Sequence, residues 1–135
     1  MVRLGEALFS YLTNNSGVSA LVGDRVFPVI VPQDVARPAI AYFKVSDPPG
    51  RTFGRRFFAR PRYQFNCWGT SYETARAAGD AVKAALENYA GMMGGDNGVK
   101  VRMTYFEGDL DLYDDPTGQF VTAIEYSIEH VEPTP

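Results

Sequence analysis

Residues 62–90 read Arg62-Tyr-Gln-Phe-Asn-Cys-Trp-Gly-Thr-Ser-Tyr-Glu-Thr-Ala-Arg-Ala-Ala-Gly-Asp-Ala-Val-Lys-Ala-Ala-Leu-Glu-Asn-Tyr-Ala90. Tyr63, Phe65 and Cys67 alternate with Arg62, Gln64 and Asn66, the period of two of a half-buried strand. Gly69 ends that strand. Thr70 followed by Glu73 has the spacing of a capping box, in which each side chain meets the other residue's free backbone N–H. Tyr72, Ala75, Gly79, Val82, Leu86 and Tyr89 then recur at steps of three and four, an apolar helical stripe. Glu73, Arg76, Asp80, Lys83 and Glu87 fill the opposite face, with Gly91 placed as a left-handed C-terminal cap. The stripe carries small residues, so this helix is expected to lie close against a sheet.

Outward from this centre the chain reads as further strands and short helices. Leu4, Leu8, Tyr11 and Leu12 give a first amphipathic helix; with Glu6 it is too short and too acidic for a secretion signal. Ser16 to Val22 is a second short helical turn capped by Ser16. Arg25 to Val29 is a short extended piece, and Ala39 to Val45 a strand with both faces partly covered. Val99, Val101, Met103 and Tyr105 alternate with Lys100, Arg102 and Thr104 as another strand. Phe120, Ile124, Tyr126 and Ile128 do the same in the last one. The expected fold is α+β: a mostly antiparallel sheet with one long and one or two shorter helices on one face. The chain is read as one domain over 1–135, with a frayed tail at 131–135.

Two segments depart from this regular pattern. Residues 46–61 are longer than a tight hairpin needs and read as a long basic β-hairpin arm. Arg51, Phe53, Arg55, Arg56, Phe57, Phe58 and Arg60 lie in it, flanked by Lys44 and Arg62. Residues 107–115 read as an acidic turn, with Glu107, Asp109, Asp111, Asp114 and Asp115 and no Lys or Arg among them. The net charge of −3 excludes a protein basic over its whole surface.

The residues offer no catalytic constellation. His130 is the only histidine and stands at the end of the last strand, so no base sits beside a nucleophile. Cys67 is the only cysteine and falls on an apolar face, a reduced core residue; no intrachain disulfide is possible, which fits synthesis in the cytosol. The aspartates at 109, 111, 114 and 115 lack the glycine and glutamate of a calcium loop, and the glycines at 91–98 lack the Gly-Lys-Ser/Thr of a phosphate loop. No cofactor or metal is expected, and no run is long enough to span a bilayer. The Phe/Arg arm has three readings: a nucleic-acid contact, a protein-interface arm, or an irregular solvated loop. With the acidic segment elsewhere in the chain, a head-to-tail pairing of copies follows from the second reading.

Four stretches together carry a family resemblance: ALVGDRVFP (20–28), PAIAYFKVS (38–46), RYQFNCWGTSYETARAAGDAV (62–82) and DLYDDPTGQFVTAIEYSI (111–128). In this order and spacing they resemble the tail-completion, tail-terminator or head–tail joining proteins of tailed bacteriophages and prophages. The resemblance implies a structural virion protein with no enzymatic activity, assembled in the host bacterial cytoplasm as a hexameric ring. That ring caps the tail tube, ends its polymerisation and docks the head connector, with genomic DNA passing through its channel. The implied partners are other copies of itself, the tail tube protein and the connector; no membrane is involved. A DNA-contacting accessory module using the basic arm is the alternative.

Overall fold

The computed structural model describes residues 3–47, 58–95 and 97–131. Its elements are α1 (Leu4–Asn14), α2 (Ser16–Val22), β1 (Val26–Pro28), β2 (Ala39–Ser46), β3 (Phe58–Ala59), β4 (Arg62–Gly69), α3 (Tyr72–Leu86), β5 (Gly91–Met93), β6 (Val99–Asp114) and β7 (Gln119–Val131). The strands form one sheet in the order β1-β2-β4-β7-β6-β5, with β3 pairing the far end of β7 beyond β4. Among the described residues, only β1 and β2 pair in parallel. This is the expected α+β class, with two short strands, β3 and β5, that the sequence pattern did not separate from loops.

The alternation in β4 is the clearest link from sequence to packing. Tyr63, Phe65 and Cys67 are buried while Arg62, Gln64, Asn66 and Trp68 between them are only partly so. Phe65 pairs with Tyr42 on β2 and Ile124 on β7, and all three point into one core with α1, α2 and α3. All three helices therefore cover the same sheet face. On the other face a smaller cluster forms where Val31 and Val35 of the 29–38 loop fold over Ala39, Ala41 and Trp68. This explains why Ala39 to Tyr42 are buried on both sides and the rest of β2 emerges into solvent.

The long helix starts and stops elsewhere than its sequence suggests. Ser71, not Thr70, is the N-cap: its extended backbone lets its hydroxyl accept the Thr74 N–H at 3.2 Å. Glu73 thereby falls one place short of the capping-box position, and Thr74 takes it, its hydroxyl 2.7 Å from that of Ser71. Gly69 fixes the entry, since a Cβ there would stand 2.6 Å from the Ala75 nitrogen. The helix ends at Leu86, where Asn88 with φ 52° makes the left-handed exit; Gly91 instead opens β5. Likewise Asn15, not Ser16, caps α2 by accepting the Val18 N–H at 3.1 Å.

The small residues of the stripe bring α3 down onto the sheet. Ala75, Ala78, Gly79, Val82, Ala85 and Leu86 are buried, whereas Tyr72 stays 45% exposed against the edge of Phe120. A Cβ at Gly79 would lie 2.4 Å from Thr122 Cγ2. No other residue type fits that approach without moving helix or strand.

Candidate assembly surface

The acidic segment is not a turn. It is the second half of β6, paired residue for residue with β7 from Gly108 opposite Glu125 to Asp114 opposite Gln119; only residues 115–118 turn. The alternation Asp109-Leu110-Asp111-Leu112 was the legible signal, since it has a strand's period of two. Asp109 and Asp111 lie in the rows of Ile124 and Thr122, on the helix side, and Leu110 and Leu112 in the rows of Ala123 and Val121, on the opposite face.

On the helix side the carboxylates are met by cations of α3. Both terminal nitrogens of Arg76 reach Asp109, at 2.9 and 2.8 Å, a forked pair. Arg76 also bonds Asp111 at 3.2 Å and Asp80 at 3.0 Å, and Lys83 reaches Asp109 at 3.2 Å. The hydrogen bond from Arg76 holds the Asp109 carboxyl below its ordinary range, and the reciprocal bond raises the Arg76 pKa further. Arg76 and Lys83 read in sequence as part of the charged face opposite the apolar stripe; they also clamp α3 to the second half of β6. Asp114 accepts a hydrogen bond from Thr117 Oγ1 at 2.5 Å inside the turn.

Phe58 and Arg60 lie at the opposite end of the sheet. Phe58 pairs with Val131, and its ring packs under the Arg102 guanidinium at 4.1 Å. Arg60 stacks over Tyr105 at 3.8 Å. The remaining arm residues named from sequence, Arg51, Phe53, Arg55, Arg56 and Phe57, lie outside the described residues. Within one chain, then, Phe58 and Arg60 are separated from Asp114 and Asp115 by most of the length of β7.

Two apolar features escaped the sequence reading. Along β6, Phe106, Leu110, Leu112 and Tyr113 are each about half exposed or more, at 52, 57, 47 and 56%. β5 covers β6 only from Val99 to Val101, so beyond that point the outer edge of β6 has no strand partner among the described residues. At the far side of the sheet, Ile30 donates its N–H to Pro28 at 2.8 Å around Val29, whose φ is 71°. That tight three-residue turn is unusual for a β-branched residue and displays Val29 and Ile30 outward at 69 and 72% exposure.

Burial raises the Cys67 thiol to about 12, which suits a packing role. Among the described residues, no group of three or more potential ligands converges to hold a metal, and no helix is long and apolar enough to cross a membrane.

What this surface offers is apolar contact, charge and an open strand edge, the means of a structural assembly protein. The chain belongs to the family described as Tail completion protein gp17, whose profile matches residues 6–125. It is thus a structural protein of a bacteriophage tail, as the resemblance implied. Its fold is similar to that of a chain from the virion of a native gene transfer agent particle, with a TM-score of 0.80 and 15% identity over 96% of this chain and 95% of that one. No curated protein sequence matches it.

Proposed function

We propose that this protein forms a closed ring on the end of the tail tube, stops tube polymerisation there and offers the docking surface for the head connector. DNA passes through the ring's channel. The family assignment over residues 6–125 carries this reading. The separation of Phe58 and Arg60 from the acidic edge supports it, because a ring subunit presents one surface to the left neighbour and a different one to the right. A net charge of −3 also suits a channel through which DNA must slide, since a basic lumen would hold phosphates. The interface residues proposed are those of the arm (Arg51, Phe53, Arg55, Arg56, Phe57, Phe58 and Arg60) and of the edge (Asp109, Asp111, Asp114 and Asp115).

Light scattering across a concentration series, with negative-stain images and added tail tubes, tests the proposal. The expected result is a closed particle of roughly six subunits, or capped tube ends where rings close only on tubes. Uncapped tubes together with a monomer at every concentration would overturn it. Salt-sensitive duplex binding lost on Arg55→Glu/Arg56→Glu would favour the DNA-contacting reading instead.

A further inference from the structure

Sheet edges in single-chain proteins are normally short, covered, or studded with charge on both faces, because an open edge invites another strand. The outer edge of β6 departs from that. From Phe106 to Asp114 it is unpaired among the described residues, while Leu110 and Leu112 leave the face away from the helices apolar. Asp109 and Asp111 face the other way and are occupied by Arg76 and Lys83. Among the described residues, acidity without a cation partner stands at both ends of this stretch, at Glu107 and at Asp114 and Asp115. Between them, at Leu110 and Leu112, the face away from the helices is apolar.

The same chain carries a complementary segment: residues 48–57 contain Arg51, Arg55 and Arg56 with Phe53 and Phe57, and no acidic residue. Chain reach decides whether the two can meet within one molecule. The segment is tethered where Ser46 lies in the row of Ser127 and where Phe58 lies in the row of Val131. The twelve steps from Ser46 to Phe58 span at most about 43 Å of extended chain. The tethers are staggered by four rows, about 13 Å, which limits any advance along the sheet to about 15 Å past Ser127. Leu112, in the row of Val121, lies six rows or about 20 Å beyond Ser127, and three strands over from β2 and two from β3. The basic segment of a chain cannot reach its own Leu112, Asp114 or Asp115.

We infer that the outer edge of β6, from Leu110 to Asp114, is the acceptor site for a second copy of this chain. The neighbour's 48–57 segment adds along the edge, its phenylalanines against Leu110 and Leu112 and its arginines toward Asp114 and Asp115. Backbone hydrogen bonds give such strand addition its affinity, and the side chains give it register. The contact is head-to-tail, since each copy uses its arm once and its edge once. This inference rests on the ring-forming reading and specifies the junction within it.

The test is a mixing experiment on the full chain. Arg55→Cys and Leu112→Cys proteins are prepared separately, confirmed as folded by circular dichroism, mixed, assembled as the wild type assembles, and oxidised mildly. Cys67 is buried and stays out of the reaction. The expected product is a 55–112 disulfide dimer formed only in the mixture. Leu110→Lys/Leu112→Lys is expected to weaken association at least about tenfold, with Asp114→Lys/Asp115→Lys partly rescuing Arg55→Glu/Arg56→Glu. A 112–112 dimer from the Leu112→Cys protein alone would show edge meeting edge about a two-fold axis and overturn the inference. Assembled wild-type rings with no 55–112 product would overturn it too, leaving the ring reading intact. Failure of wild-type protein to assemble even on tube ends would instead remove the ring reading, and this junction with it.

Discussion

Alanine at position 79 should destabilise the fold, although alanine is the better helix former. The Cβ would sit 2.4 Å from Thr122 Cγ2, against an ordinary carbon contact of about 3.5–4.0 Å. Thr122 is 1% exposed and branched at Cβ, so it has little freedom to turn away. Helix and strand must therefore part by about 1 Å, an overpacking cost of about 1–3 kcal/mol. Replacing glycine inside a helix returns about 1 kcal/mol. The net loss is about 0–2 kcal/mol, or a Tm lower by up to roughly 8 °C. Urea unfolding at low protein concentration, where assembly does not add to stability, measures it. The decisive comparison is the Thr122→Ser background, which removes the offending methyl. There only the 3.1 Å approach to the Cβ of residue 122 remains, so the cost of Gly79→Ala should shrink, a coupling of about 1–3 kcal/mol. An equal effect in both backgrounds would refute the reasoning.

Asp109 predicts an acid sensitivity. Its folded pKa is held below the ordinary 3.8, first by the Arg76 hydrogen bond, so its contribution is full above that value and is lost as pH falls through the lower folded one. Asp109→Asn should flatten the fall of the urea midpoint on the acid side of the ordinary 3.8; an unchanged slope would assign that fall to other carboxylates. Cys67, with its thiol raised to about 12 by burial, should resist a thiol reagent in the native state and react at the rate of unfolding; fast labelling of folded protein would contradict its place in the core. Ser71→Ala should cost about 1 kcal/mol while Thr70→Ala costs much less, and the reverse order in thermal melts would restore Thr70 as the cap.

How far the sequence could be read depended on which force shaped each segment. Residues 62–69 were legible because one sheet face is packed along the strand and the other only at Trp68, so burial imposes its period directly on Tyr63, Phe65 and Cys67. The α3 stripe was legible for the same reason. Its cap was misplaced by one residue because Thr70 and Ser71 are equally competent by chemistry. The close approach of Gly69 to Ala75, a tertiary contact, makes the choice. The acidic stretch hid its strand because composition drew attention away from period. Half its aspartates face outward on the helix side only because Arg76 and Lys83, twenty-six or more residues earlier in the chain, stand over them. The open β6 edge could not be read at all from local pattern. It follows from β5 being three residues long against the sixteen of β6.

The strand order also has a consequence during synthesis. β7 leaves the ribosome after β1 to β6, yet it lies between β4 and β6 and pairs with both along most of its length. Until it arrives, β6 has only the three-residue β5 beside it, and β4 has only β2. A ribosome-bound intermediate would consequently hold two separate pieces of sheet, each with an open inner edge, and the core around Phe65 and Ile124 would close in one late step. Shortening the chain into β7 removes the middle of the sheet, not its rim. A partly made chain then has neither a finished core nor a finished edge.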